Sequence, residues 1–248
     1  MTSTVLLTAA VTPNTQLHVA QSDPAVRLEQ YKIAIARWVD LVRSSKAELV
    51  VVETSGVDPD EILTLVPGPL RPGVRVMTYQ APPPINDVGK GPMEVDAIRR
   101  GLAAVALECG EDRTVYKATG RLVLANAARL VRRLEPHEVA VRMTVDRSFA
   151  DTRFLGASVA VWRDVLLADV GHIDERAGVF LEHVVAGSVA RASAIGVVDI
   201  ARFPERPVFA GQSGSTGKVY DGRAVRVAEG LRRRGESLLA SFAGRKQV

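Results

Sequence analysis

The chain has 248 residues, 47% of them hydrophobic, which is enough for one large core and fits one domain with a short appendage. No run of about 18 apolar residues marks a membrane span, Met1-Thr2-Ser3-Thr4 has no basic start of a secretory signal, and one cysteine, Cys109, excludes an internal disulfide or a cysteine-held zinc; all of this suits a reducing cytosol. The formal net charge of +4 is uneven: seven Arg or Lys against two Glu fall between Gly222 and Val248, while aromatics, at 5%, are not interleaved with basic runs and so argue against a nucleic-acid stacking platform.

In chain order, 4–11 (TVLLTAAV) predicts a buried strand, and Asp23-Pro24 a capped start for a helix over 25–43. A strand over 49–52 closes on Glu53-Thr54-Ser55-Gly56, Asp58-Pro59 opens a short helix, and 74–78 is a third strand. Pro82-Pro83-Pro84 breaks the chain ahead of Gly89-Lys90-Gly91-Pro92-Met93-Glu94, which opens a helix over 95–107. A strand over 113–117, a helix over 122–134, strands over 139–145 and 154–156, and helices over 159–167 and 176–194 follow. The loop 211–217 (GQSGSTG) precedes a basic amphipathic C-terminal helix. Repeated strand–helix alternation predicts an α/β sandwich with a mostly parallel central sheet, whose ligands belong beyond the strand C-terminal ends. A main domain over 1–210 and an appendage over 211–248 follow from this pattern.

Gly89-Lys90-Gly91 before a helix suits a diphosphate: helix N-terminal N–H groups and Lys90 supply positive charge, although such a loop is also common as a plain turn. Gly214-Ser215-Thr216-Gly217-Lys218 is no P-loop, because Gln212 stands where a glycine is required and Val219 where the magnesium-binding hydroxyl belongs. Lys117, Thr119, Gly120 and Arg121 form a second cationic element at a strand end. Asp151 and Arg153 read as either a surface ion pair or a hydroxyl and phosphate contact. Glu182, in an apolar stretch, is a candidate general base or a helix-surface glutamate. Glu53 ends a strand at the ligand edge. Asp174-Glu175 reads as a helix-capping pair, and His18, His172 and His183 carry no ligand spacing.

Taken in order, these parts resemble the bacterial sugar transferases of the nucleotide-diphospho-sugar (GT-A) fold. The resemblance runs over about 4–195: a strand with a polar end (Leu6-Leu7-Thr8-Ala9-Ala10), Asp23-Pro24-Ala25-Val26-Arg27 with Tyr31, Glu53-Thr54-Ser55-Gly56, Gly89-Lys90-Gly91 with Glu94, Tyr116-Lys117-Ala118-Thr119-Gly120-Arg121, Asp151-Thr152-Arg153-Phe154, and Glu182. The Lys-x-Thr-Gly-Arg element is similar to one in glycosyltransferase-like proteins of surface-polysaccharide clusters. Where such enzymes usually carry an Asp-x-Asp that binds a divalent metal, this chain has Lys117-Ala118-Thr119-Gly120-Arg121.

The resemblance implies a GT-A-like αβα sandwich that transfers a sugar from a nucleotide-sugar donor to a saccharide or lipid-linked acceptor, with no cofactor and no metal. Thr8, Ala9 and Glu53 would lie near the nucleoside. Gly89, Lys90, Gly91, Lys117, Thr119, Gly120, Arg121 and Arg153 would surround the diphosphate and sugar, the cations replacing Mg²⁺ as fixed charges. Glu182 or Asp151 would take the acceptor proton. The basic tail either packs on the domain or rests on anionic lipid at the inner membrane face. A non-catalytic module that binds a nucleotide or phosphosugar is the alternative.

Overall fold

The computed structural model describes residues 3–82, 87–212 and 217–220. The expected basic C-terminal helix, the middle of the Gly/Ser loop and residues 83–86 lie outside the described residues. In chain order the elements are β1 (Thr4–Ala9), α1 (Pro24–Ser45), β2 (Glu48–Glu53), α2 (Pro59–Ile62), β3 (Val74–Thr78), α3 (Gly91–Cys109), β4 (Thr114–Thr119), β5 (Leu122–Leu124), α4 (Ala127–Leu130), β6 (Glu138–Ala140), β7 (Phe154–Ser158), α5 (Val159–Val161), α6 (Leu181–Ala194), β8 (Asp199–Ala201), β9 (Phe209–Gln212) and β10 (Val219–Tyr220).

The expected α/β sandwich with a mostly parallel sheet is present. Seven strands form the central sheet in the order β3-β2-β1-β4-β7-β6-β8. β3, β2, β1 and β4 run parallel, β6 pairs parallel with β8, and β7 alone is antiparallel to its neighbours β4 and β6. Every residue of β1 is buried because alternate side chains feed two cores. Val5 and Leu7 join the core under α1, with Ile35 and Trp38, while Leu6 joins the core under α3 and α6, with Ile98 and Val185. Burial of each such large apolar side chain stabilises the domain by about 1.5–3 kcal/mol. Asp23 caps α1 by accepting from the Ala25 and Val26 N–H groups, and Lys46, in the left-handed region at φ 53°, ends it.

Three predicted elements differ. The expected helix over 122–134 becomes β5 and the single turn α4. The Leu122 carbonyl accepts the Trp38 indole N–H at 2.8 Å, and β5 pairs with β9 in a separate three-stranded sheet, β10-β9-β5. Apolar periodicity cannot distinguish a short strand that runs into a helical turn from one helix. The strand expected over 139–145 stops at Ala140. The long helix expected over 176–194 is broken by Gly178, at φ +78°, into a turn at Glu175–Ala177 and α6. β9 crosses the expected boundary at 210/211, so the hairpin β9–β10 is joined to the main domain through β5.

Candidate functional site

The strand order reverses between β1 and β4: the chain steps outward from β1 to β2 and β3, then returns to β4 on the other side of β1. In an open α/β sheet such a switch point leaves a crevice at the strand C-terminal ends. Here a cleft of about 1540 Å³ opens at that edge and continues along the ends of β6 and β8. Eight Arg or Lys side chains line it against four Asp or Glu. Of the expected site residues, Thr8, Ala9, Lys90, Thr119, Arg121, Asp151, Arg153 and Glu182 line this one cleft.

At the switch point, Gly120 brings two backbones together. Its N–H donates to the Thr8 carbonyl at 3.0 Å, and a Cβ there would lie 2.6 Å from that same oxygen. The close approach sets Arg121 beside Tyr31, with the guanidinium carbon 5.8 Å from the ring centroid; Arg27 lies 5.9 Å from the same centroid. Both arginines are buried, at 5% and 6% exposure, and neither forms an ion pair with a carboxylate among the described residues. Arg27 instead donates to the Ala10, Val11 and Gln21 carbonyls. Arg121 donates to Gln30 Oε1 at 3.1 Å, and its Nε has no hydrogen-bond partner. Burial pulls the Arg27 guanidinium below its ordinary value; Tyr31 opposes this, and the like charge of Arg121 adds to it. Two buried cations with no ion-paired carboxylate among the described residues, Arg27 feeling Glu53 only as the last of its influences, are costly unless an anion joins them. In the sequence, Arg27 stands out only as part of a helix start.

Next to this pair runs a polar chain. Lys117, fully buried, forms an ion pair with Glu94 and donates to the Thr152 carbonyl at 2.8 Å. Thr8 Oγ1 reaches Glu94 Oε1 at 3.5 Å, and Thr152 Oγ1 donates to Glu182 Oε1 at 2.8 Å. Burial pushes the Glu94 carboxyl up, but Lys117, with help from Lys90 and Thr8, outweighs it and the net shift is downward. Lys117 therefore does not line the cleft as a diphosphate contact. It neutralises Glu94 beneath the cleft floor. Glu182 is half-buried, and among the described residues its Oε2 accepts no hydrogen bond, which leaves that oxygen for a substrate hydroxyl.

Asp151 is differently placed. Arg153 grips it with two bonds, Nε to Oδ1 at 2.8 Å and Nη2 to Oδ2 at 2.7 Å, and Arg142 lies 3.9 Å away. Arg153 also donates to Tyr220 Oη at 2.9 Å and stacks over Phe209 at 4.4 Å. Burial lowers the Arg153 guanidinium, but Asp151 more than reverses this. Both Asp151 oxygens are taken by guanidiniums, whereas Glu182 keeps one oxygen open, so Glu182 is the better candidate.

The Gly89-Lys90-Gly91 loop holds an anion, but one supplied by the chain itself. Glu175 is 3% exposed; its Oε1 accepts the Gly91 N–H at 2.9 Å, and a Cβ on Gly89 would overlap its carboxyl. The start of α3 is therefore capped by Glu175, and Gly89 and Gly91 serve that cap and do not line the cleft. Lys90 remains at the cleft wall. Glu53 is likewise internal. Its two oxygens accept from the N–H groups of Val11, Ser55 and Val57 and from the Ser55 hydroxyl, tying the loops after β1 and β2 together. A carboxylate so fully engaged, with 0% exposure, has no acceptor left for a nucleoside.

Among the described residues, no three His, Cys, Asp or Glu side chains form a group able to hold a metal ion. At the end of β4, where enzymes of the resembled fold usually bind a metal, Glu94 is taken by Lys117, and Arg121 follows on the chain. This donor set does not fit a divalent cation. No described helix is long and apolar enough to cross a membrane.

No protein-family profile matches the chain, and no curated protein matches it. Among solved structures, a galactosyltransferase, LgtC, in complex with donor and acceptor sugar analogs is similar at 8% identity and a TM-score of 0.45, over 75% of this chain and 69% of that one. A likeness this loose assigns neither family nor chemistry.

Proposed function

We propose that the protein is a glycosyltransferase of the GT-A type that moves a sugar, a hexose in the simplest case, from a nucleotide-sugar donor to a hydroxyl on a saccharide or lipid-linked acceptor without a divalent metal. The observation that carries this reading is the pair Arg27 and Arg121: two buried guanidiniums without a carboxylate ion-pair partner among the described residues, at the switch point of a parallel sheet, in a cleft that also offers one under-used carboxylate.

In this reading the donor diphosphate lies against Arg121 and Lys90, with its nucleoside toward Thr8 and Ala9. Glu182 Oε2 takes the proton from the acceptor hydroxyl. The acceptor oxygen so deprotonated forms a bond to the anomeric carbon as the bond to the diphosphate oxygen breaks, and the negative charge moves onto the leaving group beside Arg121. Fixed cations in a partly desolvated cleft stabilise that charge without reorganising. Thr152 holds Glu182 in place, and Lys117 keeps Glu94 ionised and neutralised, so that it does not repel the diphosphate.

The test is turnover of a panel of nucleotide sugars, read as released nucleoside diphosphate, by the full chain and by Glu182→Gln. The expected result is turnover that falls by about 10²–10⁴-fold in the variant, with donor binding retained. Binding without turnover of any donor would support the second reading, a non-catalytic nucleotide- or phosphosugar-binding module. That reading draws on Asp151 and Lys117 being committed to internal pairs.

A further inference from the structure

The cleft is larger than its switch-point end requires. Ligand pockets usually enclose about 300–1,000 Å³, and this cleft, at about 1540 Å³, extends from β1 and β4 to the ends of β6 and β8. β6 and β8 are parallel, with Ala140 opposite Ala201, so the segments that carry Arg142, two residues past Ala140, and Arg202, one past Ala201, leave neighbouring strands at the ligand edge, and both side chains line the cleft. Arg206 lines the same end a few residues later, and Arg147 lies on the loop that faces it.

The acids at this end are already committed. Asp151 is held by Arg153, and Glu205 is drawn off by Arg129 and by Asn126 at 2.8 Å. Arg202 is exposed and has no hydrogen bond or ion pair among the described residues. The rings of Phe149, 39% exposed, and Phe203 line the cleft beside these cations, giving apolar surface for the face of a sugar ring. Glu182, the one carboxylate of the cleft with no basic partner among the described residues, lines the same cavity.

We infer that this half of the cleft is a second subsite, for an anionic saccharide that carries a phosphate or a carboxylate, and that the anion docks on Arg202 with Arg142 and Arg206 around it. The inference rests on the transferase reading for its role: the anionic saccharide is the acceptor, and its hydroxyl is presented to Glu182. Phosphate and carboxylate share the chemistry that a guanidinium recognises, so the two are separated by the probe.

The experiment is ligand-observed NMR titration of the full chain with glucose, glucuronic acid and glucose 6-phosphate, repeated with Arg202→Ala, Arg202→Glu and Arg121→Ala. Both charged sugars, or one of them, should bind at least about tenfold tighter than glucose, as a charge-assisted contact requires, and whichever binds tighter names the anion. Arg202→Ala should weaken the charged probes about tenfold and Arg202→Glu should abolish their advantage, whereas Arg121→Ala should change their binding by less than about twofold. Equal binding of glucose, no binding of any probe, or loss in Arg121→Ala without loss in Arg202→Ala would overturn the subsite. Because binding is read without turnover, absence of the anion preference in a protein that turns over nucleotide sugars rejects the subsite alone. The preference without turnover of any donor rejects the transferase reading and keeps the site.

Discussion

Glu175 reaches from the turn ahead of α6 to the first residue of α3, where its Oε1 accepts the Gly91 N–H at 2.9 Å. A helix start that looks open to a phosphate is thus closed by an internal carboxylate. Oε2 is buried with no hydrogen-bond partner. Burial pushes the Glu175 carboxyl up; the N–H groups of Gly91 and Lys90 and the Lys90 charge oppose this, nearby Glu182 adds to it, and the net shift is upward. A raised value in the folded state means that folding favours the protonated acid. The stability it contributes is complete below the ordinary glutamate range and is lost as pH rises through the folded value. Glu175→Gln should therefore flatten the fall in melting temperature on the alkaline side of that range, as a series of thermal melts across pH will reveal. An unchanged profile would dismiss this account.

Lys117 and Glu94 form the opposite case. Glu94 is shifted down, so its contribution is present above the ordinary glutamate value and is lost on acidification. Lys117→Met leaves Glu94 without its counter-charge and should cost about 3–5 kcal/mol in urea unfolding. Adding Glu94→Gln to that variant should restore most of the loss. Donor binding by the double variant should stay close to that of the wild type, because the Lys117 ammonium lies under the cleft and not in its wall.

Arg121 should behave the other way round. Arg121→Met removes a buried charge that has no acidic partner, so the ligand-free protein should melt no lower than the wild type. The rise in melting temperature produced by a nucleoside diphosphate should largely disappear, with affinity falling by about 10²-fold or more, as for a lost charge-stabilising donor. A variant that melts much lower yet binds normally would show that Arg121 serves the fold.

Chelation separates fixed cations from a bound metal. With Arg121 and Lys90 as the counter-charge, EDTA should leave nucleotide-sugar turnover within about twofold, whereas a catalytic metal is worth several kcal/mol of barrier. Loss of turnover on EDTA, restored by Mg²⁺ or Mn²⁺, would end the metal-free mechanism.

The layer order was legible because it rests on alternation: apolar runs of four to eight residues with capped helices between them leave little freedom at the level of fold class. What each charged residue does was far less legible. Lys117 and Glu53 both stand at strand ends on the ligand edge, and local sequence cannot say that Glu94, on the preceding helix, swallows the first or that four donors from two loops absorb the second. Glu175 sits far from Gly91 in sequence, and nothing near it signals the cap. Arg142 and Arg202 follow strands of three residues, too short for a periodic signal. Their place in one cleft follows only from parallel pairing of segments far apart in the chain.

The position of Tyr220 has a practical consequence. Its hydroxyl accepts from Arg153 Nη1, its ring lies 5.4 Å from that guanidinium, and it borders the cleft at the last described residue. A deletion meant to remove only the basic tail must keep Tyr220, because cutting one residue too early would unseat Arg153 and with it the brace on Asp151. A label fused directly to Tyr220 would be tethered to a residue that lines the cavity.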